Sequence, residues 1–206
     1  MDFAESRTKA NLMKAFAGEC QARTRYDLAS EAFSEQQQGF ISRMFAFTAN
    51  QEKEHAGIFL DLLNKYKVSA ADVGGADYPV PCFEDTAKYL RAAQTDEYNE
   101  YESVYPGFAE TARSEGFEDI AVKFEQIAFI EKTHGDRFGC FAHLLERSAM
   151  FTGDDDTEWI CLNCGHIFKG KNVPEKCPVC SHGQGFFVPY KYYDFSAERY
   201  TQNCKC

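Results

Sequence analysis

Seven residues place charge and imidazole where a buried helix face calls for carbon. Glu19, Glu52, His55, Glu97, Glu100, Glu131 and His134 all lie on stripes that recur at steps of three and four residues and are otherwise apolar. Glu19 follows Leu12 and Phe16. Glu52 and His55 fall between Phe45 and Phe59, Glu97 and Glu100 between Ala93 and Val104, and Glu131 and His134 between Ile127 and Phe138. A buried carboxylate without a compensating charge is costly, so five together require cations. Two divalent or trivalent metal ions supply that charge and fix the ligand geometry. The pattern is also internally symmetric, a Glu followed by Glu-x-x-His, with 33 positions from Glu19 to Glu52 and 34 from Glu97 to Glu131. A single Glu-x-x-His is more often a solvated helix face. Two copies in register with two further inward carboxylates point instead to a pair of metal ions.

A second constellation lies near the other end of the chain. Cys161, Cys164, Cys177 and Cys180 form two CxxC pairs separated by twelve residues. Two such knuckles converge on a tetrahedral four-sulfur site that accepts zinc or iron. Spacing alone leaves the metal open, and a structural zinc ribbon is the alternative to a redox iron. Trp159, Phe168, Phe186 and Phe187 are the candidates for the core of so small a unit. His143 and His166 have no comparable setting and read as packing or surface residues.

The elements that must position these groups are four long helices between residues 6 and 148, the first from about Ser6 to Phe33. The third stripe runs Leu90, Ala93, Glu97, Glu100, Val104 and Thr111, with Pro106 predicted to kink its helix. Short links join the helices except after the second, where VGGADYPVPC interrupts the pattern and is long enough to cross a bundle. One Glu from each of two helices and Glu-x-x-His from the other two is the arrangement of ferritin-like two-metal bundles. The fold expected is therefore an all-α ferritin-like four-helix bundle over 1–150, a linker over 151–158 that holds the DDDTE run, a small β/loop metal-binding domain over 159–190, and an extension over 191–206.

Composition narrows the function classes. A net charge of -10 with no long run of Lys or Arg argues against nucleic acid as a partner. MDFAESRTKANLMKAF shows neither a signal peptide nor a membrane anchor, so a cytoplasmic location is expected. Cysteines at CxxC spacing in a reducing compartment read as metal ligands rather than disulfides. No GxGxxG follows a predicted strand, so nicotinamide is not expected to bind this chain itself.

NLMKAFAGECQARTRY, ANQEKEHAGIF, DEYNEYESVYPGFAETARSEGF and IEKTHGDRF resemble the four metal-bearing helices of rubrerythrins, and WICLNCG with EKCPVC resembles their rubredoxin-like domain. The resemblance spans nearly the whole chain. It implies that Glu52 and Glu131 bridge two irons, that Glu19 and Glu97 are terminal ligands, and that His134 binds one iron. It implies further that Glu100 holds the other iron when oxidised and His55 when reduced, while Tyr26 and Tyr101 hydrogen-bond ligand carboxylates. The four cysteines would hold a third iron, with zinc as the alternative. Two departures stand out: Cys20 follows Glu19 where Ser is more usual, and VPYKYYDFSAERYTQNCKC runs past the expected end. Cys20 reads as a small buried thiol, and Cys204 and Cys206 as part of an exposed, disordered tail.

The function implied is a non-haem di-iron peroxidase that reduces hydrogen peroxide to water in oxidative stress defence. Its electrons would pass through the four-cysteine iron from a rubredoxin or an NAD(P)H-dependent reductase. A homodimer is expected, in which each small domain serves its partner's di-iron site. Two alternatives are weighed: a ferroxidase, which has no use for a thiolate electron inlet, and a non-enzymatic binding module, which leaves the seven inward ligands unexplained.

Overall fold

The computed structural model describes residues 2–75, 77–80, 82 and 84–195. Helix α1 (Arg7–Glu35) starts where Ser6 accepts from the Lys9 amide at 3.1 Å and the Glu115 carboxylate accepts from the Arg7 and Thr8 amides at 3.1 and 2.9 Å. These bonds satisfy donors that the first helical turn leaves open. A turn with Gln37 at positive φ leads into α2 (Gly39–Lys65). Helix α3 (Thr86–Asn99) passes into a π-helix (Glu100–Val104) and then α4 (Tyr105–Glu115). Gly116, at φ 88°, closes α4, with the Phe117 amide donating to the Ala112 carbonyl at 2.8 Å. That left-handed position strongly favours glycine. Helix α5 (Glu118–Glu146) follows at once.

The chain divides into two units, and α1, α2, α3 and α5 each contribute a stretch to both. Together these helices form a ferritin-like four-helix bundle, with a small sheet at the C-terminal end of the chain. The unit made of 1–26, 47–80 and 95–132 has a core of Leu12, Phe59, Tyr105, Ile120, Phe124 and Ile127. The other, 27–46, 81–94 and 133–206, packs Phe33, Phe45, Tyr89 and Phe138 with ring centroids 4.9 to 5.6 Å apart, Tyr89 edge-on to Phe33 and Phe45. Each such buried ring contributes about 1.5–3 kcal/mol.

The same unit carries a three-stranded antiparallel sheet in the order β2 (Ile167–Lys169), β1 (Glu158–Cys161), β3 (Phe187–Pro189). Trp159 pairs with Phe168, and Cys161 with Phe187. The core of this sheet is Trp159, Val173 and Phe187 together with two of the cysteines, so the thiols stand in for missing hydrocarbon. A domain of this size has too little apolar area to hold itself without a metal or another staple.

The third helix departs from the expected stripe. Leu90, Ala93 and Glu97 are buried as predicted, but beyond Glu100 the buried positions are Tyr105, Ala109 and Ala112 rather than Val104 and Thr111. A π turn holds one residue more than an α turn, so every inward position after it moves on by one. Pro106 follows that turn directly, at the start of α4, where the helix has already been re-registered and a missing N–H is tolerated.

Candidate metal centres

Glu19 on α1, Glu52 and His55 on α2 and Glu131 on α5 are all buried, and each offers a ligand atom within 4.8 Å of the others. Glu97 from α3, also buried, offers an oxygen within the same distance of Glu52 and Glu131. Glu52 and Glu131 thus belong to both sets. His134 is buried one turn beyond Glu131 on α5. Glu100, the first residue of the π-helix, belongs to neither set and is half-buried beside a cleft.

The electrostatics report crowding of like charge. Burial, and then Glu131, push the Glu19 carboxyl up from 4.5 to about 8. Burial, Glu19 and Glu97 raise Glu100 well above the carboxylate range. His55 Nδ1 lies 2.9 Å from Glu131, 3.1 Å from Glu52 and 3.6 Å from Glu19. Burial opposes its cation, yet Glu131 and the other two carboxylates raise its pKa strongly. A chain that crowds carboxyls and an imidazole together out of water has a site organised for other cations. Carboxylate oxygen and imidazole nitrogen are the donors that iron or manganese take in such bundles, so the residues fit a two-metal centre.

Two tyrosines hold the outer oxygens. The Tyr26 hydroxyl donates to Glu97 and the Tyr105 hydroxyl to Glu19. Arg25, beside Tyr26, pairs with Asp96 at 2.6 Å and ties α1 to α3 next to that contact. Tyr101, expected to hydrogen-bond a ligand carboxylate, instead packs its ring on Phe129 at 5.8 Å. Tyr105 takes that role because the π turn advances the inward position. Periodicity read without the π turn could not have found it. Cys20 is also corrected: it is exposed, because Glu19 faces inward and the next helical residue is turned about 100° away.

The four cysteines come together as expected. Cys161 Sγ lies 3.7 Å from Cys180 Sγ, and Cys164 Sγ 3.7 Å from Cys177 Sγ. A tetrahedron with metal–sulfur arms of about 2.3 Å has edges of about 3.8 Å, so the quartet matches a single bound ion. The two knuckles repeat one backbone pattern. The Cys161 amide donates to the His166 carbonyl and the Cys177 amide to His182, both at 2.8 Å, while Gly165 and Ser181 donate back to the first cysteine of each pair. Gly165 and Ser181 both have positive φ. The His182 amide hydrogen bond leads the lowering of the Cys180 thiol to about 6, whereas burial raises Cys161 and Cys164 is pushed up to about 12, so one thiol of the quartet is the readiest to ionise. His166 is half-buried and supplies only its backbone here. Cys204 and Cys206 lie outside the described residues.

A ferritin-like bundle with a carboxylate–histidine centre for two metals, followed by a four-cysteine module, defines a narrow class. A family model described as rubrerythrin matches residues 10–141, and one described as the rubrerythrin rubredoxin-like domain matches 159–188. The rubrerythrin of Clostridium perfringens is 41% identical over 90% of this chain and 95% of its own length. Rubrerythrin-1 of Clostridium acetobutylicum is 40% identical over 88% and 93%. Nigerythrin solved in its fully reduced, all-ferrous state aligns with a TM-score of 0.60 at 27% identity, covering 91% of both chains. The chain belongs to the rubrerythrin family.

Proposed function

We propose that this protein is a peroxidase that reduces hydrogen peroxide to water at a di-iron centre. The observation that carries the reading is the convergence of Glu19, Glu52, His55, Glu97 and Glu131 in one buried cluster beside His134. Glu52 and Glu131, which belong to both groups of candidate ligands, would be shared between two irons, Glu19, Glu97 and His134 would complete their ligand set, and Glu100 and His55 would serve as alternative ligands in the two oxidation states. When bound, two ferrous ions supply the two electrons of H2O2 + 2e⁻ + 2H⁺ → 2H2O and stabilise the developing negative charge. Tyr26 and Tyr105 donate to Glu97 and Glu19, which would keep those carboxylates oriented when the metals are bound.

Cys161, Cys164, Cys177 and Cys180 hold one further iron and relay electrons singly. The electrons come from a rubredoxin or an NAD(P)H-dependent reductase. The protein acts as a homodimer in the cytoplasm, each small domain serving the partner's centre; no helix among the described residues is long and apolar enough to cross a membrane. The working domains are the bundle over 1–150, the linker 151–158 and the small domain 159–190, with 191–206 an extension.

The test is to reduce the as-isolated protein anaerobically, add stoichiometric hydrogen peroxide and follow the ferric-thiolate absorption together with metal content. Reoxidation with iron near three per chain, lost in Glu97→Ala, is the expected result. A colourless protein with zinc at the four cysteines that consumes no peroxide refutes it.

A further inference from the structure

Hydrogen peroxide needs roughly twice the volume of a water molecule, about 60 Å³. Beside the proposed di-iron centre the unit of 1–26, 47–80 and 95–132 holds a cleft of about 740 Å³. That is the size of a site for an organic ligand. One wall is α1, where Ala15 and Gly18 leave the space clear, and the other is the π-helix and α4, with Val104, Gly107 and Phe108. The crossover segment supplies Tyr78, held in place as its hydroxyl donates to the Lys14 carbonyl at 3.4 Å while the Gln21 amide donates to the Pro79 carbonyl at 3.3 Å. Glu100 and Tyr105 also line the cleft, and Tyr105 is the residue that donates to Glu19. One space therefore runs from the surface to two groups of the proposed site.

Small residues create this room. A Cβ added at Gly107 would meet nothing within 4 Å, and one at Gly18 would meet only the Tyr78 ring, at 3.7 Å. The lining is mixed, with Lys14, Arg25 and Asp96 among its charged groups, but a passage for hydrogen peroxide alone has no need of such width or of the carbon patch that Tyr78, Val104 and Phe108 offer among them.

We infer that the cleft holds the organic portion of a hydroperoxide, ROOH, in which R is an aryl or branched alkyl group, with the peroxide end directed to Glu100 and Tyr105. The inference rests on the peroxidase reading above and extends its substrate class. The reaction balances as ROOH + 2e⁻ + 2H⁺ → ROH + H2O. The O–O bond breaks, the two electrons would be supplied by the di-iron centre that Glu19, Glu52, Glu97, Glu131 and His134 would hold, and solvent supplies both protons. The alcohol leaves through the cleft.

Gly107→Leu tests this without touching a proposed ligand, since Gly107 lies in α4 with ordinary φ and an open Cβ direction. Steric misfit in an apolar pocket is worth about tenfold or more. The probe is 2-phenyl-2-propanol, the alcohol product of cumene hydroperoxide, titrated calorimetrically into the as-isolated protein. It should bind the wild type saturably and Gly107→Leu about tenfold more weakly, with Gly107→Ala close to wild type. In turnover, KM for cumene hydroperoxide should rise about tenfold in Gly107→Leu while hydrogen peroxide reduction stays within about twofold. Reduction of hydrogen peroxide without binding of the alcohol, or binding indifferent to Gly107→Leu, overturns the inference and leaves the peroxidase reading standing. Reduction of neither peroxide overturns both.

Discussion

Stripping the metals should make the stability of the bundle fall as pH rises. In the metal-free protein Glu19 titrates at about 8, because burial and then Glu131 disfavour its charge, against 4.5 for an ordinary glutamate. The folded state thus holds a proton that the unfolded chain releases, so the stability this proton provides is complete below pH 4.5 and is lost progressively up to about 8. Between pH 4.5 and 7 the loss from Glu19 alone is about 3 kcal/mol, at about 1.4 kcal/mol per pH unit. His55, whose pKa is also raised, adds a loss of the same sign above its ordinary value of 6.5. Three kcal/mol shifts the melting temperature of a chain this long by roughly 6–12 °C. Metal binding needs the carboxylates deprotonated, so the loaded protein should show a flat or opposite trend. The assay is helical circular dichroism during thermal unfolding, on chelator-treated and as-isolated protein, from pH 5 to 8. Parallel profiles for the two forms would refute the reasoning, because the buried carboxylates would then not be the groups that the metals neutralise.

Tyr105→Phe should lower metal affinity or peroxide reduction by about 10–100-fold, since it removes the donor that orients Glu19, whereas Tyr101→Phe should stay within about twofold; metal content and single-turnover rates decide between them. Cys177→Ser should cost the small domain its metal and with it its fold. Trp159 is the chain's one tryptophan and is buried there, so its emission should shift to the red while the helical signal persists. Glu115→Gln should destabilise the protein by about 1–2 kcal/mol at pH 7, because the carboxylate caps α1. The Thr8 and Arg7 hydrogen bonds outweigh burial and hold the Glu115 pKa below 4.5, so its contribution is present above 4.5 and is lost as pH falls through the lowered value; the gap in urea midpoint between wild type and variant should therefore be open at pH 7 and narrow as pH is lowered to 3.

Much of the proposed site was legible in the sequence because helical spacing converts directly into a face. Glu19, Glu52, His55 and Glu131 stand at inward positions between apolar neighbours, and α-helical arithmetic over α1, α2 and α5 requires no correction. The CxxC pairs were legible for a related reason, since two residues between cysteines bring both thiols to one side of a tight turn, and all four Sγ atoms lie within 4.8 Å of one another. What failed to show depends on geometry that spacing does not carry. Cys20 looked like a buried thiol from its composition class, but its place next to an inward Glu19 turns it to solvent. The cleft is formed by what Gly18 and Gly107 lack, and an absent side chain leaves no periodic signal.

The π-helix is the most consequential of these. Glu97 and Glu100, three apart, fit one turn of an ordinary helix, and nothing in EYESV announces an extra residue. An uninterrupted helix would continue the inward stripe through Val104 and Thr111, leaving Tyr105 on its flank. With the π turn, Tyr105 comes inward to hydrogen-bond Glu19, while Glu100 occupies the widened turn itself, lining the cleft with its carboxyl close enough to Glu19 and Glu97 to be raised by their charge. The same single insertion therefore does two things: it supplies a tyrosine that hydrogen-bonds one carboxylate, and it sets a second carboxylate on the π turn itself. The exchange proposed above between Glu100 and His55 would fall on this π-helix, whereas Glu19, Glu52 and Glu131 are held in regular α-helix.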